Sequence, residues 1–580
     1  MSHDDHRSRF AFLAFRGSNR TPRGGAGAAW RPLPVLLALV IGAPAGPAAA
    51  QGLNNVNWFH ATGRFSSYGE LYGRSGVGQP ARPGQTGRIN ADMTFSFANG
   101  LLVVPVGLIL STDQVAVRQS INQIGISPTW RWATVHIGHF SPQYSPYSFT
   151  DATLLGGGAE VKTNLFRVGV IAGKARDAIA PTPGQIVVPE YQRSMQGGRL
   201  GVGHADGLHL DAFFLHAQDD PGSIDTTLLT TPLTPEANTV TALNAGAPLG
   251  ARVRVEGDLA FSRYQADRRV DFDAVRGQAA RLALDYAGQG GWTAGVQFEQ
   301  VNGGFHDLGN TGLKNDRRDI RLRGQGRLWK GRLALNGSVG LRQDNLSDAL
   351  DVTNHRTIAN FAGTFQPVPA FGVDFQVAND RQQASALIAS RSQHTVTGNY
   401  TITPRLVLRT GRVQHVLFGM AAFQSAVSTS PGTTTEIDTR THTLVANWSA
   451  TLPSGLTLNA NVTRAATEFQ LDTLSATTTI TTFSPGAAYS AVQGKLQASF
   501  HLQFTGTRLQ NPATPTTTAT HEVFPVLQVR YAIDARQSLV FKSSYRRYDM
   551  SNGATLPGDP QGTGTFTERI VSLGYTVSLR

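Results

Sequence analysis

Residues Val571–Leu579 read "VSLGYTVSL". Val571, Leu573, Tyr575, Val577 and Leu579 fall on one side of an extended chain, and Ser572, Gly574, Thr576 and Ser578 on the other. A period of two with one apolar and one polar face is the pattern of a half-buried β-strand. The same pattern extends back through the chain to about Trp58. "KLQASFHLQF" sets Leu496, Ala498, Phe500, Leu502 and Phe504 against Gln497, Ser499, His501 and Gln503. "DIRLRGQGRL" sets Ile320, Leu322 and Leu328 against Asp319, Arg321, Arg323, Gln325 and Arg327.

The connections alternate in length. Tight turns are expected at Asn99-Gly100, Asp206-Gly207, Lys330-Gly331, Pro453–Gly455 and Gln493-Gly494, where glycine takes positive φ at little cost. Between them lie long stretches rich in Pro, Thr, Ser, Gly and Asp. They include Ser141–Leu155, Arg176–Arg193, Asp220–Asn238, Gly303–Asn315, Asp380–Arg391, Ser425–Asp438 and Gln510–Thr520. Roughly 26 strands fit between residues 57 and 579, with 24 within the softness of the boundaries. Short turns on one side and long loops on the other are the layout of an outer-membrane barrel. The expected fold is all-β: one large antiparallel transmembrane β-barrel of about 24–26 strands over residues 51–580, with short periplasmic turns and long extracellular loops.

The bulk numbers agree. The 580 residues include no cysteine, so thiol and disulfide chemistry are excluded. Charged residues make up 16%, low for a soluble globular chain. The formal charge is +12; residues 1–50 hold six Arg and two Asp, leaving 45 basic against 37 acidic residues. The basic residues are scattered, which gives no nucleic-acid footprint. Arginines precede the apolar run "LPVLLALVIGAPAG", and "PAAAQG" follows, so residues 1–50 read as a secretory signal cut after Ala50. Beyond it the longest apolar run, Leu101–Leu110, is too short for a membrane helix, which needs ~20 residues. A closed barrel is the other way for a chain to span lipid, and outer-membrane lipid is its expected surrounding.

Ser572, Gly574, Val577 and Leu579 match a polar-x-Gly-x-x-apolar-x-apolar pattern. It resembles the C-terminal signal by which the barrel assembly machinery recognises its clients, which implies that machinery as a partner. Arg580 departs from the usual aromatic end. More broadly, "INQIGISPTWRWATVHIGHFSPQYSPYSF…LLGGGAEV" and "GFHDLGN…NDRRDIRLRGQGRL…GLRQDNL" resemble an uncharacterised group of large, porin-like outer-membrane barrels of Gram-negative bacteria. That resemblance covers about residues 119–175 and 296–346. It implies the fold and an outer-membrane location, and no substrate.

"WRWATVHIGHF" reads as one strand entered from a turn at Ser127–Thr129. His136 and His139 then lie on opposite faces and do not chelate a metal. The following "SPQYSPYSF" reads as a loop that either folds into the barrel mouth, with Tyr144, Tyr147 and Phe149 as a constriction or partial plug, or packs on neighbouring loops outside. The return through Gly156–Gly158, where backbones can approach closely, favours the first. Arg321, Arg323 and Arg327, with Arg332 and Arg342 on the next strand, are candidate lumen cations that would attract anions. The competing reading pairs them with Asp319, Asp344 and their neighbours. No phosphate loop, HExxH, GxSxG or calcium loop is present. No catalytic, cofactor or metal residue is therefore assigned, and an enzyme is not expected. An N-terminal plug before Trp58 has no room.

Three functions stay open. The first is a channel or transport pore for polar solutes with inward-folded loops. The second is a non-conducting structural or binding barrel whose extracellular loops engage a surface partner. The third is an outer-membrane hydrolase. A barrel this wide leaks if empty, so inward loops, a plug or a periplasmic subunit should obstruct it.

Overall fold

The computed structural model describes residues 58–579 except 77–81, 113–121, 182–187, 228–231, 271–272, 387, 389–391, 431–435, 473, 511–516 and 552–563. The expected signal sequence, residues 1–50, lies outside the described residues, as does Arg580.

The strands run in chain order. The first group is β1 (Phe59–Gly76), β2 (Gln85–Phe97), β3 (Leu102–Ser111), β4 (Gln123–Ile126), β5 (Thr129–Trp130), β6 (Ala133–Phe140), β7 (Leu154–Lys162), β8 (Phe166–Arg176) and β9 (Arg193–Gly203). Next come β10 (His209–Asp219), β11 (Ala237–Leu249), β12 (Val253–Gln265), β13 (Val275–Ala287), β14 (Thr293–Val301), β15 (Arg317–Leu328), β16 (Leu333–Asp344), β17 (Val352–Val368) and β18 (Phe371–Ala386). The last are β19 (Gln393–Thr410), β20 (Val413–Thr429), β21 (Glu436–Thr451), β22 (Leu456–Leu471), β23 (Leu474–Ala491), β24 (Leu496–Gln510), β25 (Thr517–Ala532), β26 (Gln537–Ser551) and β27 (Phe566–Leu579).

Successive strands pair antiparallel, and β27 pairs back onto β1, with Tyr68 opposite Gly574 and Glu70 opposite Ser572. The sheet is therefore closed and has no free edge. β4 and β5 both lie between β3 and β6, so the two together form one stave and the barrel has 26.

The outward face of the sheet is mainly apolar. Leu322 is 59% exposed and Leu573 56%, as expected of side chains made to meet lipid. All six tryptophans among the described residues (Trp58, Trp130, Trp132, Trp292, Trp329 and Trp448) are exposed and sit at the short-turn end. They form an aromatic girdle of the kind that marks a membrane interface. Closed pairing, an apolar belt and a polar interior make the chain an outer-membrane β-barrel.

Two boundary readings are corrected. "WRWATVHIGHF" is not one strand: the chain reverses at Arg131-Trp132, where Arg131 has φ 53° and Trp130 pairs with Ala133. Ser127-Pro128, read as the turn, interrupts the preceding stave, since proline offers no N–H to the ladder. Several long connections are also shorter than read. β18 runs to Ala386, β20 to Thr429, and β25 starts at Thr517, so their Thr-, Ser- and Gln-rich ends are strand. β-branched threonine suits an extended chain even where neither face is apolar.

Candidate functional site

The barrel interior has two unlike walls. Along β21–β24 most inward residues are neutral hydroxyls and amides. Beside them β20 turns Val416, Phe418, Met420 and Ala422 inward, and β18, β19, β25 and β26 add charges such as Asp380, Arg405, Glu522 and Arg546. Thr441 meets Thr467 at 3.0 Å and Thr482 meets Thr505 at 3.2 Å across neighbouring strands. Asn399, Gln424, Asn447, Asn461 and Gln528 all keep exposure.

The opposite wall, β8–β17, is charged and partly covered. Arg167 on β8 reaches past β9 to Asp211 on β10 at 2.9 Å, and Arg199 meets the same carboxylate at 2.9 Å. Gly201, on the strand between, leaves the slot: a Cβ there would collide with the Asp211 carboxylate. Arg323 on β15 reaches Asp285 on β13 at 2.7 Å in the same way, across Gly295. Arg193–Asp219 is a further buried pair at 2.7 Å.

The candidate lumen cations therefore divide. Arg323 is paired with Asp285, and Arg342 with Asp319 at 2.7 Å. Arg321 and Arg327 are exposed on the same inward face and have no ion pair among the described residues. Arg332 lies in the Trp329–Gly331 turn ahead of β16, not on the strand as read. Its backbone N–H donates to Trp329 O. Asp344 accepts from Asn354, not from an arginine. Arg323 and Asp285 also border a recess of about 730 Å³ at the short-turn end of the lumen.

Tyr144, Tyr147 and Phe149 lie inside, on the loop between β6 and β7. Tyr147 and Phe149 have no exposed surface, and Tyr144 is half-buried against them. Phe149 sits in a notch left by Gly197, whose Cβ would strike the ring. Tyr144 stacks on Phe213 at 6.1 Å and meets Phe149 edge-on at 5.8 Å. The Tyr147 hydroxyl donates to Glu299 at 3.1 Å. Burial, then the Glu299 charge, push that phenol well above its ordinary value, so it stays a donor.

A second inward loop, 302–316 between β14 and β15, carries no signal in the sequence that sets it apart from the other polar connections. Phe305 meets Tyr147 edge-on at 5.9 Å, and Asn310 Nδ2 donates to Pro146 O at 2.8 Å. Asn238 Nδ2 donates to His306 O at 2.9 Å, and the Leu308 N–H returns to Asn238 Oδ1 at 3.2 Å. Beneath both loops the wall is small or aliphatic: Ala217, Val240, Ala242, Ala260, Ala279 and Val301. The two loops and this wall form the one described apolar cluster.

Asp307 is buried in this cluster. Its Oδ1 accepts from the Gly309 N–H at 2.8 Å, and its Oδ2 has no partner among the described residues. Burial pushes the carboxyl up to about 7, against the pull of the Gly309 and Asn310 N–H groups, with a further push from Asp151. A released carboxyl titrates near ~4, so the docked loop keeps a proton that the released loop gives up. Docking is then strongest below about pH 4 and weakens as pH rises to about 7. Hydrogen-exchange protection of residues 302–316, corrected for intrinsic rates, should fall between about pH 5 and about pH 8 and stay flat in Asp307→Asn. Equal slopes would remove Asp307 from the account.

His136 and His139 have separate partners. His136 Nδ1 meets Ser127 Oγ at 2.9 Å and its ring stacks on Phe140 at 4.9 Å. His139 Nδ1 lies 3.0 Å from the Ile124 N. In β27, Ser572 is buried and faces inward, and Leu573 faces outward.

No protein-family model and no curated protein matches the chain. Among solved structures, the translocation pore of the P pilus usher PapC is similar at 8% identity, over 90% of this chain and 100% of that one, with a TM-score of 0.36. BauA, the ferric preacinetobactin receptor of Acinetobacter baumannii, gives 10% identity, 89% and 80% coverage, and a TM-score of 0.39. An anion-selective porin from Comamonas acidovorans gives 15% identity, 59% and 100% coverage, and a TM-score of 0.25. Likeness at this level carries no functional argument; the fold rests on the strand pairing above.

Proposed function

We propose that the chain is a passive outer-membrane channel for polar solutes, with its bore narrowed on one side by the two docked loops. The observation that supports this most is the mainly neutral polar wall of β21–β24, whose inward side chains keep exposure while part of the β8–β14 wall is covered. Hydroxyls and amides facing water replace a solute's hydration shell at low cost, and the unpaired Arg321 and Arg327 add an anion preference. No catalytic step is part of this reading. Swelling of liposomes carrying the refolded barrel, in neutral sugars of increasing size, tests it. Uptake with a size cut-off is expected; equal impermeability to the smallest and largest sugar would overturn it.

A second reading has one specific support, the interlocked aromatic loops. A non-conducting barrel that presents its remaining loops to a surface partner, or is closed by a plug or periplasmic subunit, would also need that wall fixed.

Assembly of the barrel is proposed to use Ser572, Gly574, Val577 and Leu579 as its recognition signal. In the closed barrel a Cβ at Gly574 meets nothing nearer than 3.7 Å. Gly574→Ala should therefore leave the heat-modifiability of barrel refolded in detergent unchanged, while lowering the folded fraction in cells. A loss in detergent as well would place the glycine's role in the barrel itself.

A further inference from the structure

The charges of the sheet are sorted by side. On strands β12 to β19 every carboxylate faces the interior. Arg263, Arg276, Arg318 and Arg381 instead share the outward face with the apolar belt. All four lie near the long-loop ends of their strands, the end opposite the tryptophans.

Arg263 and Arg276 are direct register partners across β12 and β13. Like charges placed directly opposite on one face repel. Both side chains are exposed, and neither has an ion pair or side-chain hydrogen bond among the described residues. A second outward row of register pairs runs through Gln300–Arg318 and Gln343–His355; it starts opposite Ala280, four residues along β13 from Arg276, and Arg318 Nε donates to Gln300 at 3.1 Å. Two residues further into the belt stand Phe261, Phe298, Ile320 and Leu341, all exposed. These cations lie at the long-loop border of the apolar belt, where headgroups meet the barrel.

We infer that the facing pair Arg263 and Arg276, with Arg318 as a further cation on the same outward face, binds the phosphates of a membrane lipid headgroup in the leaflet on the long-loop side. A phosphate between the two facing guanidiniums converts their repulsion into a shared contact, since guanidinium forks match phosphate geometry. Its acyl chains then lie along the apolar belt below. A lipid source fits better than free phosphate because these cations are on the outside of the barrel and border hydrocarbon-facing residues.

The test uses the full chain folded in neutral detergent. Diphosphoryl lipid A and its dephosphorylated counterpart are titrated in, and bound lipid is counted by native mass spectrometry. The phosphorylated lipid should be retained at least tenfold more strongly, and Arg263→Gln/Arg276→Gln/Arg318→Gln should abolish that difference. Arg263→Lys/Arg276→Lys, which keeps the charge, should retain most of it and controls for misfolding. Arg276→Gln alone should melt no lower than the parent in neutral detergent, because it removes a repulsion. Equal retention of both lipids, or an unchanged preference in the triple glutamine variant, would overturn the inference. Displacement of the lipid by millimolar inorganic phosphate would do so as well, by making the site one for the free ion.

Discussion

Replacing Tyr147 and Phe149 together by alanine is expected to release both inward loops, not only the one mutated. Each ring is fully buried, and large-to-small changes of this kind cost ~3–5 kcal/mol at well-packed sites. Tyr147 also holds the second loop directly, its ring edge-on to Phe305, and Phe149 packs in the same apolar cluster as Phe305 and Leu308. Hydrogen exchange should show the loss where no residue was changed. Protection of 302–316 should fall by roughly 100-fold or more, given ~1.4 kcal/mol per tenfold. The strands should be unaffected, since closure of the barrel rests on backbone pairing around the ring. Conductance should rise at the same time, because the released loops no longer cover the β8–β14 wall. Loss of protection confined to 141–153 would mean that the loops dock independently.

The second large effect concerns ion preference, and its sign separates two classes of arginine. Arg321→Gln/Arg327→Gln removes two inward cations that no described carboxylate neutralises. The reversal potential under a salt gradient should move toward cations. Asp285→Asn should move it the other way. Arg323 and Asp285 are both about half exposed to the lumen, at 53% and 45%. Removing the carboxylate leaves a free guanidinium facing the bore. If both variants leave the reversal potential where it was, the β13–β15 wall does not border the conduction path.

Much of the barrel is legible in single strands. Lys495–Phe504 and Val571–Leu579 each declare two faces, and the glycine turns at Asn99-Gly100, Lys330-Gly331 and Gln493-Gly494 fix where the chain reverses. The reversal at Arg131-Trp132 is not legible, because neither residue is glycine and the nearby Ser127-Pro128 is a stronger turn signal. The ends of β18, β20 and β25 were misread because Thr, Ser and Gln on both faces erase the period of two. Among site residues, the aromatic spacing of Tyr144, Tyr147 and Phe149 signals an apolar body in a polar loop. The partner loop hides its anchors: Phe305, Leu308 and Leu313 are spread through glycine and asparagine with no periodicity. Ion pairs such as Arg323–Asp285 and Arg167–Asp211 span two strand intervals. They depend on register and on the intervening glycines, Gly295 and Gly201, which no one strand reveals. Likewise the facing of Arg263 and Arg276 appears only once β12 and β13 are paired.

The most direct test of the channel is single-channel recording of the refolded barrel, residues 51–580, in a planar bilayer. Steady, stepwise openings are expected, with a current that scales with salt and a size that increases when Tyr147 and Phe149 are removed. A barrel that inserts, remains heat-modifiable and passes no current, with or without those two rings, would contradict a channel.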